Sequence, residues 1–235
     1  METSAGRYAI YFAPESTSAL WRFGSRTIGY DAASGSDSEP LVPTGCEDMD
    51  WAAATDDPRR YGFHATLKAP FSLREKVTAA ELIDALADFS RRNTGLPEFR
   101  LVVAALGSFV ALVPEAPNPA LQALAFRIVE AFEPFRAPLS SADRARRLQS
   151  PLTPLQIALL DRYGYPYVGE AFRFHMTLTG KLAPDRVTQT RDALAAAFKS
   201  AVPEQSAALN SLALYHQADR ASRFRIVARF PLASA

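Results

Sequence analysis

The pattern that most constrains this chain is F-H-x-T-L, which occurs at residues 63–67 and again at 174–178. In an extended strand, successive side chains point to opposite faces. His64, Thr66 and Lys68 therefore share one face in the first copy, as His175 and Thr177 do in the second. The apolar neighbours fill the other face of each strand. Each copy thus predicts a row of polar groups on a rigid, apolar-backed strand, which is how a functional site is built.

Two of the three histidines of the chain lie in these matching frames. Neutral and protonated imidazole are both accessible near physiological pH, so a facing pair can serve as general base and general acid. A threonine two residues after each histidine can donate a hydrogen bond to an anionic oxygen while staying neutral. We therefore predict that His64 and His175 are catalytic and that Thr66 and Thr177 hold a phosphate between them.

A phosphate ligand also needs positive or polar partners. The candidates are Arg7, Tyr11, Lys68 and Arg173. Arg173 is the strongest of them, because it shares its strand face with His175. Lys68 and Lys181 follow the motif histidines by four and six positions, but a lysine is as often a solvated surface charge.

Composition restricts the class of protein. The 235 residues suffice for a sizeable core, and 48% hydrophobic residues argue against disorder. With 26 basic against 25 acidic residues, the chain lacks the excess charge of an extended nucleic-acid-binding surface. A single cysteine, Cys46, excludes an internal disulfide and any cysteine metal cluster, and it fits a reducing, cytoplasmic setting.

We expect neither a leader nor a membrane segment. Residues 1–5 contain no basic region of the kind that opens a signal peptide. The longest apolar stretch, residues 101–113, is interrupted by Gly107 and is shorter than the roughly 20 residues that a membrane helix needs.

A unit of motif strand, helix and two strands is predicted twice, with lobes at about 60–115 and 168–232 and a helical connector at about 116–166. Thr78 and Thr153 each begin a capping box, which predicts a helix after each of them. Residues 31–58 are polar and acidic, and we predict a long loop there that forms a mobile flap over the site. The arginines at 144, 146 and 147 are interpreted as solvated residues of a linker.

Other kinds of site fit the sequence less well. Chelating pairs come as His-x-His in strands or His-x-x-x-His in helices, and neither occurs, so we predict no metal. A serine nucleophile would need a Gly-x-Ser-x-Gly frame, which is also missing. His216 has no threonine two residues later and is interpreted as structural.

Paired His-x-Thr motifs in a duplicated strand and helix arrangement resemble the two-histidine (2H) phosphoesterase superfamily, which has a LigT-like fold. Residues 8–12, 60–68 and 172–178 resemble a narrower bacterial branch, whose genes lie near phosphonate-utilisation genes. The resemblance implies one α+β domain over residues 1–235. It would consist of two pseudo-symmetric lobes, with antiparallel sheets lining a central cleft and helices outside.

The same resemblance implies a cofactor-free and metal-independent phosphodiesterase that acts on a small cyclic phosphate or nucleotide-type phosphodiester. In it, His64 and His175 would be the acid and base, in an order that the sequence does not settle, and the two threonines would hold the phosphate. The expected partner is a small phosphorylated substrate, with an RNA end as a further candidate. The alternative is a non-catalytic protein that binds nucleotides or RNA ends in a 2H-like pocket.

Overall fold

The structure is a computed structural model that describes residues 6–233, and it confirms the predicted α+β class. The expectation about a signal peptide concerns residues 1–5, which lie outside the described residues. The strands are β1 (Arg7–Phe12), β2 (Tyr30–Asp31), β3 (Ser36–Asp37), β4 (Ala65–Phe71), β5 (Phe99–Leu106), β6 (Phe109–Pro114), β7 (Met176–Thr177), β8 (Ser206–Ala207), β9 (Ser211–Gln217) and β10 (Arg225–Pro231). The helices are α1 (Ala19–Ile28), α2 (Trp51–Ala54), α3 (Asp56–Arg59), α4 (Ala79–Arg92), α5 (Pro119–Ala131), α6 (Ser141–Arg147), α7 (Pro154–Tyr163) and α8 (Pro184–Ala201).

Eight of these strands form one antiparallel sheet in the order β10-β9-β1-β4-β7-β6-β5-β8. The two strands that begin beside the motif histidines, β4 and β7, are neighbours at its centre. Helices cover the sheet: α5 packs on β4, α8 on β5 and β6, and α4 on β9 and β10. The two polar rows therefore lie side by side on adjacent strands of one sheet.

The two predicted units are present, as β4-α4-β5-β6 and β7-α8-β9-β10, but they exchange their hairpins. β4 lies in the half of the sheet that contains β9 and β10, whereas β7 lies beside β6 and β5. Each half thus combines a motif strand and helix from one unit with the hairpin of the other. The lobes are consequently not the contiguous segments expected from the sequence, because strand pairing across the sheet is set by long-range packing rather than by chain order.

Local signals place the longer helices well. The side chain of Thr78 accepts a hydrogen bond from the backbone N–H of Glu81, and the Glu81 carboxylate accepts one from the backbone N–H of Thr78, so a full capping box begins α4. Thr153 and Gln156 do the same at the start of α7, with a proline at its first position. These predicted helix starts are confirmed.

Two segments differ from the prediction. Residues 31–58 were expected to be a long flexible loop. They contain strand β3, which pairs with β2, and the short helices α2 and α3. Trp51 is buried there, and its indole N–H donates to the carbonyl of Thr27 at 2.9 Å, which fixes the segment to α1. The arginine run expected in a linker is the helix α6, capped by Ser140. Four- and seven-residue helices are too short to show a helical period in the sequence.

Among the described residues, no helix combines the length and the apolar character needed to cross a membrane.

Candidate active site

The antiparallel register of β4 and β7 brings the two motifs together. Ala65 pairs with Met176, so the positions on either side place His64 opposite Thr177 and Thr66 opposite His175. Directly opposite side chains have Cβ atoms about 5 Å apart. Each histidine thus faces the threonine of the other motif, and the four side chains form one compact, pseudo-symmetric polar patch.

Both imidazoles are oriented by the same kind of contact with a backbone carbonyl. His64 Nδ1 lies 2.8 Å from the carbonyl oxygen of Gly62, and His175 Nδ1 lies 2.8 Å from that of Arg173. A carbonyl oxygen can only accept, so Nδ1 carries the proton in each ring. The Nε2 atoms are left for chemistry, and that of His64 lies 3.2 Å from the Thr66 hydroxyl.

In the first motif, this backbone contact requires glycine at position 62. Its φ of +78° lies in the left-handed region, and a Cβ there would meet the Cβ of Ala32 at 2.5 Å. A side chain at position 62 would therefore displace the carbonyl that orients His64.

The environment of His64 favours its neutral form. The ring stacks on that of Tyr11, with centroids 3.8 Å apart and planes at 19°. Burial, opposed by the hydrogen bond to the Gly62 carbonyl and aided by the charge of the nearby His175, lowers the pKa of His64 to about 4. His64 is consequently neutral at pH 7, and its Nε2 lone pair accepts a hydrogen bond from the Thr66 hydroxyl.

The environment of His175 is more open. Its ring lies 5.9 Å from that of Phe109, and the Nδ1 partner is a carbonyl in an irregular segment ahead of β7. The two histidines, although related by the motif, therefore sit in different surroundings, which is the arrangement that lets one act as base and the other as acid.

A cleft opens over the polar patch in two adjoining cavities. One, of about 300 Å³, is lined by His64, Thr177 and Lys181, and the other, of about 460 Å³, by Thr66, His175 and Arg173. Phe109 lines both. A ligand of a few hundred Å³ would thus contact both motifs together with one cation on each side.

Among residues 6–233, Arg173 and Lys181 are the two cations that line the cleft. Arg173 is exposed and lines the cavity of His175, as expected from their shared side of the strand. Lys181 lies beside His64 and Thr177. In the sequence, Lys181 was marked as a candidate only by its position six residues after His175.

Lys68, in contrast, is not brought to the cleft. Its ammonium group is buried behind the sheet, where it donates to the carbonyl of Val129 at 3.0 Å and to the carboxylate of Glu133 at 2.9 Å. The expectation that Lys68 shares a face with His64 was wrong, because the pairing of β4 with β1 shifts register between Tyr11 and Ile10. Such an irregularity reverses the alternation of side chains beyond it.

Exchanging Lys68 for Met is expected to change kcat/KM by less than about 3-fold while lowering stability by about 1.5–3 kcal/mol, the value of hydrogen bonds to a charged group. Glu133→Gln should cost more, about 3–5 kcal/mol, since Glu133 also pairs with Arg136, and the buried Lys68 and the partly buried Arg136 would both lose their carboxylate. Chemical unfolding and steady-state rates on the same preparations check this. A tenfold loss of kcat/KM in Lys68→Met with an unchanged unfolding midpoint would contradict it.

The remaining candidates, Tyr11 and Arg7, lie on β1 next to the patch. Tyr11 pairs with Thr66 across β1 and β4 and is almost fully buried under His64. Arg7 lies four residues earlier, and its guanidinium donates to the side chain of Gln217 at 2.8 Å rather than to the polar patch. Arg7 lines a separate basic pocket instead.

Two tyrosines were not identified from the sequence. Tyr61 lines the His64 cavity, and Tyr165 lines the His175 cavity. The signal for Tyr61 was its place just ahead of the motif. Tyr165 follows α7 in a Gly-Tyr-Pro-Tyr segment, where aromatic residues in a connection between elements could have drawn attention to it.

The chain is similar to two curated proteins, each described as ribose 1,5-bisphosphate phosphokinase PhnN. That of Janthinobacterium sp. (strain Marseille) is 36% identical over 214 residues, covering 90% of this chain and 47% of the relative. That of Laribacter hongkongensis (strain HLHK9) is 33% identical over 227 residues, covering 94% of this chain and 50% of the relative. The chain therefore spans about half the length of the curated relatives that it matches.

Among solved structures, the chain is similar to LigT of E. coli. The complex described as LigT with ATP is 13% identical, with a TM-score of 0.43 over 98% of this chain and 99% of that one. A protein of Thermus thermophilus is also 13% identical, with a TM-score of 0.46 over 97% and 98% of the two chains.

A family model described as "Protein of unknown function (DUF1045)" matches residues 66–225, a region that contains Thr66, His175 and Thr177 and begins just after His64. The match covers well over half of the sequence, and the chain belongs to this family.

Proposed function

We propose that this protein is a metal-independent phosphodiesterase of the 2H type that opens a small cyclic phosphate by acid–base catalysis. The observation that carries the proposal is the cross-strand pairing of the two motifs, in which each imidazole faces the threonine of the other. A phosphate between the strands would meet an imidazole on either side and a hydroxyl beside each.

His64 is the general base in this proposal. It is neutral at physiological pH, and its Nδ1 proton is held by the Gly62 carbonyl, so Nε2 presents a lone pair. In the first half of the reaction, Nε2 takes a proton from a water molecule as the water oxygen forms its bond to phosphorus.

His175 is the general acid. In its protonated form, Nδ1–H donates to the Arg173 carbonyl and Nε2–H points to the cleft. As the phosphorus–oxygen bond to the ring oxygen breaks, Nε2 gives its proton to that oxygen. The products are a phosphate monoester and a free hydroxyl, and the two imidazoles then return to their starting states by exchange with solvent.

The threonine hydroxyls and the cleft cations stabilise the phosphate. Thr66 and Thr177 each donate to a non-bridging oxygen, where negative charge accumulates in the transition state. Arg173 and Lys181, one on each side of the cleft, attract the anionic substrate and offset its charge.

The name of the curated relatives suggests the carrier of the cyclic phosphate. They are described as kinases of a ribose bisphosphate. We therefore place a cyclic phosphate on a ribosyl group first among the candidate substrates, with a role in phosphonate and phosphoribosyl metabolism.

A panel of cyclic phosphates tests the proposal. Purified protein with EDTA is incubated with ribose 1,2-cyclic phosphate, its 5-phosphate and 2′,3′-cyclic nucleotides, and ³¹P NMR identifies which phosphorus–oxygen bond is opened. The double variant His64→Gln/His175→Gln is the matched control. Turnover that persists in EDTA and is lost in the double variant supports the proposal; equal product from both proteins, or none from either, contradicts it.

The alternative of a nucleotide-binding protein without catalysis is favoured by one observation, the aromatic wall of the cleft. Phe109, Tyr165 and Tyr167 line the cavity of His175 and offer surfaces on which a base can stack. If the wild type binds 2′,3′-cyclic AMP tightly and turns over no member of the panel, this alternative replaces the enzyme.

A further inference from the structure

A second, strongly basic pocket lies next to the cleft. It has a volume of about 70 Å³, and its walls come from the start of β1, the end of β4, the segment after α5, the helix α6 and the turn between β9 and β10. Five arginines line it: Arg7, Arg136, Arg146, Arg147 and Arg220. Guanidinium groups contributed by four distant parts of the chain converge here, although like charges repel one another.

Few carboxylates offset this charge. Asp143 is shared by Arg146, at 2.6 Å, and by Arg220, at 2.9 Å. Arg136 pairs with Glu133, which also neutralises the buried Lys68. The pocket therefore carries several positive charges in excess.

The two remaining arginines pair with neutral groups. Within residues 6–233, Arg7 has the amide oxygen of Gln217 and the ring of Phe224 as partners, and Arg147 has the ring of Tyr165 at 5.1 Å, but neither forms an ion pair. Burial lowers the pKa of Arg7, and the charge of Arg220 lowers it further. An anion bound here would remove that repulsion.

Two tyrosines join this pocket to the polar patch. Tyr11, which stacks on His64, and Arg7 are four residues apart on β1, about 13 Å along the strand, with side chains on the same side. Tyr165 lines the cavity of His175 and also supports the guanidinium of Arg147. One tyrosine ring therefore separates the guanidinium of Arg147 from the cavity of His175, and a single sugar ring can span that separation.

We propose that this arginine pocket binds a second phosphate of the substrate, so that the preferred substrate is a cyclic phosphate whose sugar also carries a phosphate monoester. The proposal rests on the proposed function for the position of the cyclic phosphate. The pocket is small and polar, which suits a terminal phosphate group, and Arg presents paired N–H groups that match phosphate oxygens.

The test measures binding, so that it does not depend on turnover. The His64→Gln/His175→Gln background leaves any substrate intact, and calorimetry gives the dissociation constants of two matched pairs: ribose 1,2-cyclic phosphate with and without a 5-phosphate, and 2′,3′-cyclic AMP with and without a 5′-phosphate. In at least one pair, the additional phosphate should tighten binding by about 10- to 100-fold, the contribution of hydrogen bonds between charged groups.

Arginine variants in the same background show which side chains cause the tighter binding of the ligand with the second phosphate. Arg220→Gln, at an exposed position, and Arg7→Gln should each reduce the gain by about 10-fold or more and leave the affinity for the ligand without the second phosphate within 2-fold. The control is Arg144→Gln, which removes the same charge from α6 at a side chain that pairs with Asp161 and does not line the pocket. It should keep the full gain.

Equal dissociation constants within both pairs would overturn the proposal, and so would a gain that Arg144→Gln reduces as much as Arg220→Gln does. Failure of the wild type to turn over any cyclic phosphate would contradict the proposed function instead. It would not change the comparison of dissociation constants, so the two failures are distinguishable.

Discussion

Replacing His64 with Ala is expected to lower kcat for the cyclic phosphate by about 10²- to 10⁴-fold, and His175→Ala should have an effect of the same size. Each variant removes one proton transfer but leaves the threonines and the cleft cations in place. KM should therefore change much less than kcat. Steady-state kinetics with EDTA present, on variants whose circular dichroism matches the wild type, measures both constants.

The double variant distinguishes a cooperating pair from two independent groups. Because the two imidazoles act in one displacement, His64→Ala/His175→Ala should be hardly slower than either single variant. His216→Ala is the matched control, since His216 lies on β9 against Tyr8 and lines neither cavity of the cleft. Loss of less than 10-fold in either single variant, or an equal loss in His216→Ala, would contradict the assignment.

Thr66→Val and Thr177→Val are expected to lower kcat by about 10- to 10³-fold each, because each removes one hydrogen-bond donor to the charge that develops on phosphate. Valine keeps the shape and β-branching of threonine, so the strand and its packing are preserved. The effect of Thr177→Val is the more diagnostic one. Thr66 also contacts Nε2 of His64, and its loss alters the orientation of the base as well.

Thr66→Ser and Thr177→Ser supply the control for these variants. They retain the hydroxyl and should keep kcat within about 5-fold of the wild type. A serine variant as slow as its valine counterpart would show that the methyl group, and hence packing, matters rather than the hydrogen bond to phosphate.

Much of the site could be predicted from the sequence because its signal is local. A two-residue period places His64 and Thr66 on one face wherever the strand lies, and the same holds for His175 and Thr177. The capping boxes at Thr78 and Thr153 likewise depend only on residues three positions apart. Local patterns of this kind can be predicted without knowledge of the tertiary fold.

Lys68 shows where the two-residue period failed. Its side chain was expected beside His64, but the shifted register between β1 and β4 turns it toward α5. An irregularity of this kind depends on how the two strands pair, and residues 64–68 alone carry no sign of it. Arg173 precedes β7 rather than lying within it, yet its backbone carbonyl and its side chain both reach the site.

The arginine pocket could not be predicted for a different reason. Arg7 and Arg146 are separated by more than half of the chain, and Arg220 lies in a third, distant segment. Only the exchange of hairpins between the two units brings β9 beside β1. Nothing in the local sequence specifies which hairpin pairs with which motif strand, since both hairpins alternate in the same way.

The dependence of kcat/KM on pH tests the central claim, a neutral His64 acting with a protonated His175, most directly. For the wild type we predict a bell. Its acid limb comes from protonation of the base as the pH falls toward the His64 pKa of about 4, and its alkaline limb reports the general acid, which must be protonated to act. In His175→Ala the alkaline limb should disappear while the acid limb remains. A wild-type rate that rises with pH to a plateau, or an alkaline limb that survives in His175→Ala, would contradict the two-histidine mechanism.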